Sequence, residues 1–169
     1  FMDISLRLCD CMRGAPIPPD AFEKAARSKH FTSGSDLDEI VLPRYQETFT
    51  ALIEQTRSLT LTGLGLDDKA ANDIMVLMRR FPNIRELDLN ANPAISVPLQ
   101  EWAVLAKEVS LTKLILSLTK VSGDIADLKG LVNLTELKLA YTQVSGDIAC
   151  LKELVNLTEL RLNVQATQV

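Results

Sequence analysis

The segment LTKLILSLTKVSGDIADLKGLVN (Leu111–Asn133) runs directly into LTELKLAYTQVSGDIACLKELVN (Leu134–Asn156). A third copy opens as LTELRLNVQATQV at Leu157. The hexapeptide VSGDIA therefore stands at Val121–Ala126 and again at Val144–Ala149, 23 positions apart. Leu111, Leu134 and Leu157 are in phase, as are Leu114, Leu137 and Leu160, and Leu116, Leu139 and Leu162. Self-similarity at a fixed period of this size marks a chain built by stacking one small unit.

The same core returns upstream at wider spacing. IRELDLNANPAI begins at Ile84 and TRSLTLTGLGL at Thr56, so Leu59 to Leu87 is 28 residues and Leu87 to Leu114 is 27. In each L-x-L segment alternate side chains point to opposite faces of a strand. Leu114 and Leu116 then face a core while Lys113, Ile115 and Ser117 face away. Successive units place such strands side by side and parallel, about 4.8 Å apart. Asn92, Thr119 and Thr142 fall where the chain leaves the strand, and their side chains are suited to satisfy backbone groups at that bend. Val121 and Ile125 re-enter the core, with Gly123 for a tight turn and Asp124 to accept nearby backbone N–H groups. A Gly-Asp pair also fits a phosphate cradle or a metal loop. A phosphate cradle is expected once, opening a helix, whereas this pair recurs in successive units, so it reads as a turning device.

The pattern L-x-x-L-x-L-x-x-(N/T)-x-(L/V) runs about five times from Thr56 onward and resembles the leucine-rich repeat family over about two-thirds of the chain. Its V-S-G-D-I element resembles the short repeats of plants, algae and protists. The resemblance implies an α/β fold: a right-handed leucine-rich-repeat solenoid with a parallel concave β-sheet, spanning 56–169, its last coil incomplete. It also implies a non-catalytic protein–protein interaction or scaffold role. The 27- and 28-residue units leave space for helices. Asp67 or Asp68 caps one, with Ile74, Leu77, Met78 and Phe81 on a single stripe. Leu99, Trp102, Ala103 and Ala106 repeat that spacing after Pro98. The 23-residue units have room only for short 3₁₀ or extended backing.

Residues 1–55 carry no repeat and are expected to form a helical N-terminal cap over the open first coil. Asp3–Arg13 reads as a helix ended by Gly14, Ala15–Pro19 as a link, Asp20–Ser28 as a second helix and His30–Asp36 as a loop. Glu39–Leu42 reads as a short strand. Tyr45, Phe49, Leu52 and Ile53 mark a further helix. At the other end no cap is evident. Leu137, Leu139, Ile148, Leu151 and Leu154 are expected to be partly open to water unless further chain or a partner covers them.

Composition bounds the function. The net charge of −4 gives no general pull toward nucleic acid or anionic lipid. No run approaches the roughly 18 apolar residues of a membrane span. Three cysteines, Cys9, Cys11 and Cys150, do not suit a disulfide framework, which favours an intracellular location, cytoplasmic or organellar. Asn133-Leu134-Thr135 and Asn156-Leu157-Thr158 match the glycosylation sequon, but they share the repeat phase, which explains them more simply. Gly63-Leu64-Gly65 lacks the third glycine of a dinucleotide loop, and Asp67 and Asp68 would repel a pyrophosphate there. His30 with the cysteines would hold zinc only if distant segments met. Neither catalytic residues nor a cofactor nor a metal is expected.

Read by column across the units, the outward positions are polar and mixed in sign, except one. Gly63, Ala91, Leu118, Tyr141 and Val164 turn apolar toward the end of the chain. With Ile115 beside it, Leu118–Tyr141–Val164 forms either an apolar partner-binding ridge with an aromatic anchor or a ladder of side chains that cover one another. Lys138 and Arg161 flank it, and beside Glu136 and Glu159 they also read as paired surface charges. The expected role is an accessory subunit docked on a larger, possibly organellar, assembly through a protein partner. The alternatives are an extracellular or receptor-type recognition module and the repeat module of a larger enzyme whose catalytic part lies elsewhere.

Overall fold

Five short strands carry the L-x-L segments. They are β1 (Ser58–Thr60), β2 (Glu86–Asp88), β3 (Lys113–Ile115), β5 (Glu136–Leu139) and β7 (Glu159–Leu162), and they form one parallel sheet in chain order. The computed structural model describes residues 18–28 and 36–162. Leu59, Leu87, Leu114, Leu137 and Leu160 stand opposite one another across the five strands, as the repeat phase predicts. The first four of these leucines are fully buried.

The wider units hold helices behind the sheet. α3 (Asp68–Arg80) starts from Asp67, whose carboxylate accepts from the Ala70 N–H at 2.9 Å, and it buries Ala71, Ile74, Met75, Leu77 and Met78. α4 (Leu99–Glu108) follows Pro98 and buries Leu99, Trp102, Ala103, Leu105 and Ala106. The two 23-residue units substitute short 3₁₀ turns at Ile125–Leu128 and Ile148–Glu153, opened by Asp124 and Asp147. Each of these aspartates accepts from the N–H two residues on, Ala126 or Ala149, at 2.8 Å.

The VSGD segments do more than turn. β4 (Ser122–Asp124) and β6 (Gln143–Ser145) pair in parallel as a second, two-stranded sheet. Ser122 lies opposite Gln143 there, an offset of 21 residues, against 23 on the main sheet. Extended copies stacked one above the other satisfy each other's backbone groups, which a reading of the segment as a bare turn misses. Gly123 has φ +138, and a Cβ on it would come within 3.0 Å of the Leu99 Cβ, so the position excludes side chains on two counts. Gly146 has φ +116, and a Cβ there would run into the Asp124 carboxylate.

Polar side chains satisfy the bends after β1, β2, β3 and β5. Asn92 is fully buried; its Nδ2 donates to the carbonyls of Leu61 at 2.9 Å and Leu89 at 2.8 Å, and its Oδ1 accepts from the Leu66 N–H at 3.0 Å. The first unit has Leu64 where the later ones carry Asn or Thr, so Asn92 reaches back to serve two units. Thr119 and Thr142 donate to Leu116 and Leu139 carbonyls, each at 2.6 Å.

Before the sheet come α1 (Pro19–Arg27) and α2 (Leu42–Gln55), the latter entered through a π-helical turn at Leu37–Val41. The strand expected at Glu39–Leu42 is thus helical. Among the described residues no strand lies beside it to complete its hydrogen bonds, and Pro43 suits a first helical turn. Phe22 stacks on Tyr45 with centroids 3.7 Å apart, and Phe49 meets Phe81 edge-on at 6.0 Å, which ties α1 and α2 to the end of α3. Ile53 is buried, but Leu52, expected beside it, is exposed. The expected helix at Asp3–Arg13 and the loop from His30 fall outside the described residues, apart from Asp36.

At the far end β7 pairs with β5, and Leu137, Leu139, Leu151 and Leu154 are buried. Among the five expected to open, only Ile148 is exposed, and among the stacked leucines exposure begins at Leu160, 37% open.

Removing the Asn92 side chain strands a buried N–H and two buried carbonyls, each worth about 1–3 kcal/mol. Asn92→Ala is expected to cost about 3 kcal/mol or more. Thr142→Ala, which removes one bond at a half-buried bend, should cost about 1 kcal/mol. Urea denaturation of the two variants measures both.

Candidate functional site

The face of the sheet away from the leucine layer carries two unlike surfaces. The first is a continuous chain of ion pairs. Lys113 Nζ lies 2.8 Å from Glu136 Oε2, Glu136 Oε1 2.5 Å from Lys138 Nζ, and Lys138 Nζ 3.0 Å from Glu159 Oε1, which is 3.0 Å from Arg161 Nε. Three strands are linked this way. Burial alone would raise the Glu136 pKa, but hydrogen bonds from Lys113 and Lys138 outweigh it and hold the carboxyl below its usual range. Hydrogen bonds to Glu136 and Glu159 hold Lys138 above its usual value. Lys138 and Arg161, two of the expected partner-binding residues, are thus engaged with their neighbours.

Ile115 requires a correction. It faces outward, yet it is only 7% exposed and adds no open apolar surface. Its neighbours in register are Asp88 and Lys138, on strands to either side, and a short aliphatic chain between polar ones on an interior strand is shielded. Ser117, in the next column, is also buried and accepts from the Ala140 N–H at 3.2 Å.

The second surface is the corner just beyond the strands. Gly63, Ala91, Leu118 and Tyr141 occupy it, with φ of +67, +58, +56 and +58. The turn is held from rung to rung: Gly63 N–H donates to Asn90 O at 2.8 Å, Ala91 N–H to Ser117 O at 3.0 Å and Leu118 N–H to Ala140 O at 2.9 Å. A left-handed backbone disfavours side chains by about 1–2 kcal/mol per residue. Leu118 and Tyr141 nevertheless stand there, 47% and 67% exposed. The sequence column placed these residues together but missed their backbone conformation; Gly63 at the head of the column was the available signal. Val164, the next member, lies outside the described residues.

At the opposite, leading edge of the strands an open depression of about 510 Å³ is lined by Arg85, Ser110, Thr112, Asn133, Thr135 and Asn156. It owes its shape to the N-L-T repeat. Thr135 Oγ1 donates to Thr112 O and Thr158 Oγ1 to Thr135 O, both at 2.9 Å, and Asn156 Nδ2 donates to Val132 O at 2.7 Å. The second sequon asparagine thus has a structural task. Nothing in the sequence columns marked this edge as a cavity.

Other candidate sites resolve into structure or fall outside it. Gly63 and Gly65 are left-handed turn residues. The helix start after them is occupied by the protein's own carboxylates: Asp67 caps α3, while Asp68 accepts from Ser96 N–H and Oγ, each at 2.5 Å, and from Val97 N–H at 3.1 Å. Cys150 is a free, half-buried thiol. Cys9, Cys11 and His30 lie outside the described residues. Among the described residues, no cluster of three or more His, Cys, Asp or Glu is placed to hold a metal, and no helix is long and apolar enough to cross a membrane.

No protein-family profile and no curated protein matches the chain. Among solved structures it is similar to an internalin from Listeria monocytogenes, with 26% identity and a TM-score of 0.48, over 69% of this chain and 30% of that one. The chain therefore spans less than a third of that protein's length.

Two outcomes follow. The Glu136 contribution is complete above the ordinary carboxyl value of about 4.3 and is lost as pH falls through its lowered folded value. Glu136→Gln is therefore expected to cost about 1 kcal/mol at neutral pH, and the gap from wild type should close in acid; paired denaturant titrations across pH measure it. Tyr141→Gly relieves the left-handed strain at the cost of a freer unfolded chain. It should leave stability unchanged or raise it by up to about 1 kcal/mol, read as a thermal midpoint.

Proposed function

We propose that the chain is a leucine-rich-repeat solenoid acting as a non-catalytic protein–protein interaction module. In this reading the exposed corner beside the sheet is the partner-binding ridge. The observation that carries it is the pair Leu118 and Tyr141: large apolar side chains, open to water, on neighbouring left-handed positions where glycine would be less strained. Much of their apolar surface is left unused by the frame. A partner gains an aromatic anchor on a backbone already fixed, so little further ordering is needed on binding. Val164 extends the same column. Lys138 and Arg161 form a charged rim whose groups remain paired among themselves.

The reading extends to an accessory subunit docked on a larger assembly in the cytoplasm or an organelle. A cysteine content that does not suit a disulfide framework supports a reducing location.

The test compares wild type with Tyr141→Ala and Leu118→Ala as baits in native material, followed by affinity measurement on the recovered partner. Tyr141→Ala is expected to weaken binding at least about tenfold, which corresponds to about 1.4 kcal/mol, with an unchanged thermal midpoint. Equal recovery and equal affinity for all three proteins would remove the ridge as the anchor.

A further inference from the structure

We propose that the depression at the leading edge of the strands binds an extended acidic peptide, with Arg85 taking a carboxylate. This site lies at the other end of the strands from the Leu118–Tyr141 corner and stands independently of it.

The case begins with a cation that is held in place but not neutralised. Arg85 Nη1 donates to the carbonyls of Val109 at 2.9 Å and Ser110 at 3.2 Å, at the C-terminal end of α4. The guanidinium is thereby fixed in position. Its Nη2 and Nε have no hydrogen-bond partner, and no carboxylate lies within ion-pair distance, among the described residues. Glu108, the residue before Val109, is taken by Arg79 at 2.7 Å, and Glu86, the next residue along the strand, faces the opposite side of it. Arg57 stands on the adjacent rung, where its carbonyl accepts the Arg85 N–H at 2.8 Å, and it too lacks an ion-pair partner among the described residues. On the outward face, by contrast, Lys113, Lys138 and Arg161 all have carboxylate partners.

The rest of the lining selects among anions. It contains hydroxyls and amides and no acid. The protons of Thr112 and Thr135 are already given to the carbonyls of Arg85 and Thr112. The threonine oxygens therefore present lone pairs, which accept N–H groups and do not favour a bare phosphate. Asn133 is exposed and its amide makes no hydrogen bond among the described residues. A ligand that meets both demands brings an oxyanion to Arg85 and a row of donors to the threonines one rung apart. An extended peptide with a Glu or Asp side chain does so, since its carboxylate fits the planar guanidinium fork and its backbone N–H groups follow the edge.

The probes are a short Glu-rich peptide, its Gln-for-Glu counterpart and inorganic phosphate, titrated into the intact protein by calorimetry and by amide NMR shifts. The Glu-rich peptide is expected to shift Ser110, Thr112, Asn133 and Thr135, to bind at least about fivefold more tightly than the Gln peptide, and to weaken with salt. Asn133→Asp places a carboxylate in the depression without removing a bond of the fold and should weaken the Glu-rich peptide about fivefold. Arg85→Gln, which can keep the bond to the helix end, should weaken it about tenfold. Tyr141→Ala should leave it unchanged. Equal binding of the two peptides, wild-type affinity in Asn133→Asp, or phosphate binding as tightly as the Glu-rich peptide would each overturn the proposal.

Discussion

The structure depends on register. Strands of three or four residues have too few hydrogen bonds to persist alone, and each exists here because an equivalent segment lies beside it at the same height. A slip of one residue would turn Leu87 or Leu114 outward and put Asp88 or Lys113 into the aliphatic layer. The repeat phase of the leucines therefore specifies the pairing, and the pairing specifies which side chains form the outer face. Interior backbone groups at each bend must find partners, and the buried Asn92 and Thr119 provide them.

The outer face shows two ways of handling exposed positions. Across β3, β5 and β7 the charges of Lys113, Glu136, Lys138, Glu159 and Arg161 satisfy one another in a line. Each such pair contributes little, commonly under about 1 kcal/mol. The line leaves these groups mutually occupied and fixes side chains that would otherwise sweep the sheet. At the corner the balance is reversed. Three non-glycine residues hold a left-handed backbone, each disfavoured by about as much as a good ion pair contributes. The rung-to-rung hydrogen bonds through Ala91 and Leu118 N–H hold that geometry regardless of the side chain.

Much of this is legible in the amino-acid order, for a definite reason. Where one rule is applied repeatedly, as with Leu59, Leu87, Leu114, Leu137 and Leu160, the pattern exposes the register before any coordinate is known. A helix cap at Asp67 or Asp68, of which the fold uses Asp67, and the bend role of Asn92 follow from side-chain chemistry. What escaped reading has no period. The segment Glu39–Leu42 has β-branched residues but no neighbour to pair with, and tertiary context decides it. Ile115 was expected in the open because alternation gives direction and not depth; cover by adjacent strands is a property of the assembled sheet. The paired VSGD strands and the depression beside Arg85 arise between units, so no single unit displays them. At the candidate ridge the column groups Leu118 with Tyr141, while its left-handed backbone showed only through one glycine.

The corner separates frame from surface. Glycine, alanine, leucine and tyrosine occupy the same backbone geometry on four successive rungs. The main chain there is dictated by its neighbours, so beyond the strain common to non-glycine residues the side chain is open to variation. Such a position can diversify quickly under selection for new contacts, because a change of residue alters what the protein touches without altering how it folds. Duplication of the 23-residue unit would add further variable positions along the same line, each already aimed.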